Sequence, residues 1–277
     1  MPFEPDLQVG QEIVNGQLCH IFKCSTQGGM RRSHETGTLV IVSKHIDKKY
    51  DDRWIDEKTL HYTGMGLQGD QSINSSQNKT LNESATNGVD VHIFEVFEKG
   101  KYTYRGRVFL LDHPYQEQQP DENGNIRNVW MFPLRIIDDS DFHIPFQKQL
   151  TVFESKEKEA KGLLDNELRK RIQYSSRTPG YRKVASKSYE RNPWVSEYAK
   201  RRANGICQLC DQPAPFFTND RKPYLETHHI IWLSKSGDDT PENTVALCPN
   251  CHRRMHSLNK NLDRNKLIRA VNTDPYK

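Results

Sequence analysis

Residues 226–258 read ETHHIIWLSKSGDDTPENTVALCPNCHRRMHSL and carry the most informative pattern of the chain. Cys248 and Cys251 form one C-x-x-C pair in this stretch, and Cys207 and Cys210 form a second pair upstream. Two such pairs supply four thiolates, the ligand set of a tetrahedral structural zinc site. The spacing between the pairs exceeds the roughly 15–20 residues of a simple zinc ribbon, so we expect the insert to carry a further function.

Four histidines lie in and around this insert. His228 and His229 are adjacent, while His252 and His256 follow the last cysteine pair and are four residues apart. On a helix, residues with that spacing project from one face, so both imidazoles can share one metal ion. A lone His-His dipeptide is more often part of a hairpin surface. The second histidine pair, held in place by the zinc-binding cysteines, favours a metal centre here.

Together with Asn243, these histidines resemble the motif of the HNH, or ββα-metal, endonucleases. The resemblance implies that His228, His252 and His256 bind one catalytic divalent ion. It also implies that His229 is the general base that activates the attacking water, and that the Asn243 side chain braces the loop carrying His229. Neutral imidazole accepts a proton from water at neutral pH, and a divalent ion stabilises the pentacovalent phosphate.

The ligand set leaves the catalytic ion open. Imidazoles suit Mn²⁺, Ni²⁺, Co²⁺ or Zn²⁺ on grounds of softness, and Mg²⁺ stays an alternative. A zinc module that only binds DNA is the competing interpretation. Such a module has no need of His229 or of two histidines one helical turn apart, so we expect a nuclease.

Composition sets broad limits on the rest of the molecule. The chain has 277 residues, which fits about two domains. Its 40 Lys and Arg against 36 Asp and Glu give a formal charge of +4, so local patches rather than net charge decide the partners. Hydrophobic residues make up 34%, and with 11 Phe, 11 Tyr and 4 Trp this is the composition of a folded chain.

Neither a membrane segment nor a secretory signal is visible. No stretch approaches the roughly 20 apolar residues of a membrane span, and the N-terminus, MPFEPDLQVGQEI, lacks a basic segment followed by an apolar one. We therefore expect a cytoplasmic protein with no membrane partner. Cys19 and Cys24 lie outside the zinc motif and are expected to be reduced thiols.

The chain changes character twice. Segments such as TLVIVS, VDVHIFEVFE and VWMFPLRII are strand-like and predict a β-rich front half, while 154–173 predicts a connecting helix. Residues 174–192 are basic with interleaved tyrosines, which fits either a solvated tether or a segment that follows phosphates. We predict an α+β protein with an N-terminal domain over 1–151, a helix and basic linker over 152–191, and a nuclease domain over 192–277.

The stretch from residue 50 to residue 81 is the most distinctive part of the front half. Tyr50 and Tyr62 lie near Asp51 and Asp52 in a glycine-rich context. Two aromatic faces and a carboxylate that accepts from an exocyclic amine would suit a cytosine flipped out of a duplex. A glycine-rich hairpin with its tyrosines in the core is the alternative that these residues leave open.

The order of motifs YDD, YTGMG, GDQ, QNKTL, YTYRG and NVWMFPLRI resembles the SRA domain family. That resemblance implies an SRA/PUA-like β-barrel that binds DNA by flipping 5-methylcytosine or a related base into a pocket. By the same resemblance, Tyr50 and Tyr62 would sandwich the base, Asp52 would accept from its amino group, and Thr63 would lie at the pocket wall.

The two halves together resemble the McrA-type modification-dependent restriction endonucleases. This implies cleavage of double-stranded DNA that contains 5-methylcytosine, 5-hydroxymethylcytosine or a related base. An HNH homing-type or nicking enzyme with a sequence-specific front domain is one alternative, and a modified-DNA reader without catalysis is another. Cutting both strands with one active site per chain favours a homodimer.

Several basic residues are candidates for contacts with the DNA backbone. Arg31 and Arg32 precede the first predicted strand, and Arg182 and Lys183 lie in the basic linker. Arginine and lysine commonly fix the register of a protein on DNA through phosphate oxygens. A solvated turn is the alternative for the first pair.

Overall fold

A computed structural model describes residues 2–46, 50–121, 123–138, 140, 142–175 and 179–273. The chain forms two compact units, Met1–Ser186 and Lys187–Lys277. The division falls within the linker predicted over 152–191. No helix in the described ranges is long and apolar enough to cross a membrane.

The first unit is built on a nine-stranded mixed sheet. Its strands are β1 (Glu12–Ile13), β2 (Met30–Ser33), β3 (Thr38–Lys44), β4 (Arg53–Trp54), β5 (Thr59–Thr63), β6 (Asp90–Glu98), β7 (Lys101–Leu110), β8 (Tyr115–Pro120) and β9 (Ile126–Ile136). The order is β2-β3-β6-β7-β9-β5-β4, with β1 paired to β7 and β8 to β9. The β3–β6 pair is parallel, and the other pairs of this sheet are antiparallel.

The sheet curls around one hydrophobic core, as the predicted barrel requires. Met30 of β2 and Trp54 of β4 come from opposite ends of the sheet order, yet both belong to the same buried cluster. The Tyr62 hydroxyl on β5 donates to the Gly29 carbonyl just before β2 at 2.9 Å. Side-chain packing and this hydrogen bond therefore join the two edges.

Both faces of β3 are buried, which explains its unbroken apolar sequence. Leu39 and Ile41 enter the inner cluster, whereas Val40 and Val42 face a second cluster that contains Phe22 of the first helix. Alternate residues of a strand point to opposite faces, so a strand covered on both sides reads as a continuous apolar run. The helices of this unit are α1 (Asn15–Phe22), α2 (Ser76–Asn82), α3 (Phe146–Lys161) and α4 (Asp165–Gln173).

The helix predicted over 154–173 is two helices, α3 and α4. Leu164, between them, has an extended backbone with φ −71° and ψ 153°, and its N–H donates to the Glu167 side chain at 3.0 Å. A side chain that accepts this N–H starts a new helix. Arg171 of α4 and Glu159 of α3 form an ion pair at 3.1 Å that joins the two helices.

Glu95 of β6 is fully buried and anchors a cluster of charged groups. Its carboxylate accepts from His45 at 2.7 Å, from the Trp54 indole at 2.8 Å and from Arg182 at 2.8 Å to each oxygen. Arg105 lies 3.1 Å from the same carboxylate. Burial alone would raise the pKa of Glu95, but Arg182, His45 and Arg105 outweigh it and hold that pKa below its ordinary value.

Part of the predicted basic linker is docked on the first unit rather than free. Strand β11 (Val184–Ala185) pairs in parallel with β10 (Ile144–Pro145). A Cβ at Gly180 would lie 1.7 Å from the Trp54 carbonyl oxygen, so only glycine allows this close approach. The Arg182 guanidinium stacks 4.4 Å from the centre of the Trp54 ring.

The structure contradicts two of the four predicted contacts with the DNA backbone, those of Arg182 and Arg31. Arg182 is bound by Glu95 and largely covered, so its charge is not available to a phosphate. Arg31 is only 2% exposed and donates to Asn15 at 2.7 Å and to the Gly28 carbonyl at 3.0 Å. Both guanidinium groups donate hydrogen bonds to residues of the first unit. Arg32 is partly exposed and donates to the first carbonyl of β3 at 2.9 Å, and Lys183 is exposed in an ion pair with a glutamate at 3.0 Å.

The second unit has a β-hairpin followed by a helix at its centre. Its elements are α5 (Pro193–Ala203), β12 (Glu226–His229), the 3-10 turn Leu233–Lys235, β13 (Thr244–Leu247), α6 (Pro249–Leu258) and α7 (Asn261–Asn272). Strands β12 and β13 pair antiparallel, with His228 opposite Val245. Val245, Met255 of α6 and Leu267 of α7 are fully buried in one cluster, which packs both helices on the hairpin.

The four cysteines form a single cluster in this unit, as predicted. The sulfur atoms of Cys207, Cys210, Cys248 and Cys251 all lie within 4.8 Å of one another. Cys248 is the residue before α6 and Cys251 lies in its first turn. Four thiols with this geometry and no disulfide among them fit a closed structural zinc site.

Replacing Glu95 by Gln should destabilise the first unit by about 3–5 kcal/mol, the usual cost of breaking a buried ion pair. Urea unfolding of the full chain measures the loss, and Glu98→Gln, at an exposed glutamate of the same strand, should stay within about 0.5 kcal/mol. Because the folded pKa is depressed, the Glu95 contribution is present above its ordinary pKa of 4.5 and disappears as the pH falls below it. Equal midpoints for the two variants would contradict this role.

We expect the Cys207→Ser variant to lose one bound zinc ion per chain. We also expect its second unit to lose its cooperative unfolding transition, because thiolate ligation supplies folding free energy. Elemental analysis and thermal unfolding followed by circular dichroism test this. Cys19→Ser, outside the cluster, should retain both properties. A zinc-free wild-type chain that unfolds like the zinc-bound one would disprove a structural site.

Candidate metal centre and base-binding cavity

The hairpin and α6 bring three histidines together. His228 lies on β12, while His252 and His256 lie one turn apart on α6. One ring nitrogen from each falls within 4.8 Å of the other two. The Nε2 atoms of His252 and His256 are 3.0 Å apart, and the ring centres of His228 and His256 are 4.9 Å apart. Three convergent imidazoles with this spacing can ligate one ion.

His228 carries the clearest sign of a ligand. It is 2% exposed, and its Nε2 atom makes no hydrogen bond with any described residue. A buried polar nitrogen without a partner is costly unless a ligand completes its bonding. Burial lowers the pKa of His228 to about 3, and the charges of His252 and His256 add to this effect. The imidazole is therefore neutral at pH 7, which is the form that binds a metal.

Glu226 fixes the orientation of His252. Its Oε2 atom lies 2.5 Å from Nδ1 of His252, and its other oxygen accepts from the Tyr224 hydroxyl at 3.0 Å. The hydrogen bond to His252 holds the pKa of Glu226 below its ordinary value. A carboxylate on one ring nitrogen directs the other nitrogen toward a metal. Glu226 was not predicted from the sequence, although it lies two residues before His228 and thus on the same face of the strand.

Asp239 holds His229 in the same way. Its Oδ1 lies 2.9 Å from His229 Nε2, and its Oδ2 accepts the Asn192 backbone N–H at 2.6 Å. These two hydrogen bonds lower the pKa of Asp239. When Asp239 accepts the Nε2 proton, Nδ1 of His229 is the nitrogen that can take a proton. Asp239, which lies in the irregular connection between β12 and β13, was not predicted from the sequence.

Asn243 closes the loop that follows His229. Its side-chain oxygen accepts the Ile231 N–H at 2.8 Å, and its amide donates to the Ile231 carbonyl at 2.9 Å and to the Asp238 carbonyl at 2.7 Å. Gly237 is needed in this loop, since a Cβ there would lie 1.9 Å from the Ile231 carbonyl oxygen. The contacts are those expected of a residue that braces this loop.

A cavity of about 260 Å³ in the first unit contains two of the four expected base-binding residues. Tyr50 and Asp52 line it beside Gln119, and side chains of α3 and α4 form another wall. The Asp52 carboxylate accepts the Thr63 N–H at 2.9 Å. Burial raises the pKa of Asp52 to about 6, although the Thr63 hydrogen bond works in the opposite direction.

Tyr62 and Thr63 lie deeper than the cavity lining. Tyr62 is 4% exposed within the inner core cluster, and its hydroxyl is held by the Gly29 carbonyl. Thr63 is 2% exposed, with its hydroxyl 3.6 Å from the Met131 sulfur. Tyr62 thus occupies the core position that the sequence left open as an alternative. Thr63 does not line the cavity, and its backbone N–H contacts Asp52, which does.

Two protein-family models match this chain, one in each of its two units. The family model "ScoMcrA-like, SRA domain" matches residues 9–157, and the "HNH endonuclease" model matches residues 207–258. The SRA and HNH identities predicted from the sequence are confirmed.

The "Type IV methyl-directed restriction enzyme EcoKMcrA" of Escherichia coli (strain K12) is 49% identical over 81 residues, which are 29% of this chain and 29% of that protein. The chain thus matches less than a third of the length of this curated relative.

Two solved structures are also similar. The phosphorothioation-dependent restriction endonuclease ScoMcrA has a TM-score of 0.41 at 20% identity, covering 96% of this chain and 64% of that one. The modification-dependent restriction endonuclease TagI has a TM-score of 0.36 at 20% identity, covering 91% and 79%. Because the SRA model matches more than half of the residues, the chain belongs to the ScoMcrA-like SRA domain family and carries an HNH domain behind its SRA domain.

Proposed function

We propose that this protein is a modification-dependent DNA endonuclease that reads modified cytosine with its first unit and cleaves the backbone with its second. The observation that carries the proposal is the orphaned, buried Nε2 of His228 facing His252 and His256, beside a histidine held by a carboxylate. A DNA-binding zinc module would not need a second, histidine-lined centre.

The residues of the second unit account for hydrolysis. His229 takes a proton from water at Nδ1, and the water oxygen forms a bond to phosphorus while the bond from phosphorus to the 3′ oxygen breaks. The leaving oxygen is protonated by solvent, which leaves a 3′ hydroxyl and a 5′ phosphate. Asp239 stabilises the protonated imidazole. A divalent ion held by His228, His252 and His256 would supply Lewis-acid stabilisation of the phosphate, with Mn²⁺, Ni²⁺, Co²⁺ or Mg²⁺ as candidates.

The cavity of the first unit supports recognition of a flipped base. Tyr50 offers an aromatic face, and Asp52 offers a carboxylate oxygen to the exocyclic amine of cytosine. We propose 5-methylcytosine, 5-hydroxymethylcytosine or a related base in double-stranded DNA as the ligand. The E. coli relative is named as a methyl-directed enzyme, which is consistent with this choice.

We further propose that the protein is a homodimer and that it works in the cytoplasm. One active site per chain and two strands to cut favour a homodimer, which the mass in solution would reveal. Four zinc-binding thiols fit the reducing cytoplasm. Arg32 and Lys183, the two expected DNA contacts whose side chains reach the surface, are candidates for phosphate contacts.

His229→Ala should lower the cleavage rate of DNA containing modified cytosine by about 10²–10⁴-fold, the usual contribution of a general base. Binding of the same DNA should persist, because the variant leaves the cavity of the first unit intact. His113→Ala, at an exposed histidine of the first unit, is the matched control. Cleavage by His229→Ala at nearly the wild-type rate in Mn²⁺ would refute the catalytic assignment.

The affinity for a duplex with one 5-methylcytosine should fall as the pH drops through about 6, because Asp52 accepts a hydrogen bond only through an unprotonated oxygen and binds best when ionised. Fluorescence anisotropy at fixed ionic strength measures this, since salt alone changes DNA affinity. Asp52→Asn should bind more weakly and lose the pH dependence, whereas Asp112→Asn, at an exposed site, should keep it. An unchanged profile for Asp52→Asn would exclude Asp52 from base recognition.

A further inference from the structure

Arg191 lies at the mouth of the histidine-lined centre. A cavity of about 220 Å³ opens over this centre, and its lining includes Arg191 together with His228, His229, His252 and His256. All of these residues belong to the second unit. The HNH match begins at residue 207, so Arg191 lies outside the stretch that carries the motif.

The backbone beside Arg191 is tied to the residue that holds the proposed general base. The Asn192 N–H donates to Asp239 Oδ2 at 2.6 Å, while Asp239 Oδ1 lies 2.9 Å from His229. The Asn192 side chain in turn accepts the Trp194 N–H at 3.0 Å and so caps the start of α5. Arg191 therefore directly precedes the residue whose backbone binds Asp239, the carboxylate that orients His229.

Within the described ranges, the guanidinium of Arg191 forms no hydrogen bond or ion pair, whereas Arg201 pairs with Glu197 and Arg254 pairs with Asp263. Its charge contributes, after two hydrogen bonds, to lowering the pKa of Asp239. The two carboxylates of the site are already engaged, Asp239 with His229 and Glu226 with His252. An exposed arginine at the edge of a cavity lined by histidines suits an oxyanion as its ligand.

We propose that Arg191 binds the non-bridging oxygens of the phosphate that is to be cleaved and positions it against His229. The inference rests on the proposed nuclease function and adds a substrate-binding residue to it. The planar guanidinium can donate two parallel hydrogen bonds to a phosphate. Attack by water adds negative charge to these oxygens, so the same contact strengthens in the transition state.

The test compares Arg191→Ala and Arg191→Lys with Arg201→Ala, an exposed arginine on α5 of the same unit. Arg191→Ala should lower kcat by about 10²–10³-fold, the effect of removing one donor to a developing oxyanion. Arg191→Lys should recover part of the rate, because it restores the charge but not the planar pair of donors. Arg201→Ala should cleave like the wild type.

A binding measurement separates this role from a purely structural one. In a His229→Ala background, the slope of log affinity against log salt should decrease by about 0.9 on loss of one phosphate contact. The Mn²⁺ affinity and the unfolding temperature should not change. An unchanged slope with Arg191→Ala would overturn the inference whether or not the DNA is cleaved. A wild-type protein that cleaves no DNA would instead refute the proposed function.

Discussion

The four-sulfur cluster is the constraint on which the second unit depends. Cys248 and Cys251 fix the first turn of α6, and Cys207 and Cys210 bind that turn from a separate segment. His252 and His256 lie on the same helix, so a zinc ion that orders the cysteines also sets the direction of both imidazoles. The hairpin that packs against α6 then supplies His228. A zinc ion at the four cysteines would therefore contribute both to the folding of the second unit and to the geometry of its histidine ligands.

Carboxylates orient the two classes of histidine in a parallel way. Glu226 holds Nδ1 of His252 and thereby directs its other nitrogen toward the proposed ion, while Asp239 holds Nε2 of His229 and leaves Nδ1 for proton transfer. In each pair the hydrogen bond also lowers the pKa of the carboxylate. The same kind of hydrogen bond therefore orients a proposed metal ligand in one case and the proposed general base in the other, because it acts on opposite ring nitrogens.

The features that could be predicted from the sequence are those whose residues follow a short, regular spacing in the chain. Each C-x-x-C pair is a short local pattern, and His252 and His256 lie one turn apart on α6, so spacing alone predicts which groups within each pattern lie together. Asp239 could not be found this way, since no periodicity links an irregular loop to His229. Arg182 was misjudged for a similar reason. Its partner Glu95 is 87 residues away in the chain, so a linker that looks basic and solvated is in fact docked by a buried ion pair.

We propose that DNA cleavage by the second unit depends on a modified base bound by the first. The most direct test of this dependence is the cleavage rate of otherwise identical duplexes that carry cytosine, 5-methylcytosine or 5-hydroxymethylcytosine at one site, with Mn²⁺ at fixed salt. We expect at least one modified duplex to be cleaved much faster than the unmodified one, and we expect Asp52→Asn to abolish this difference in rate. Equal rates for all three duplexes would contradict it.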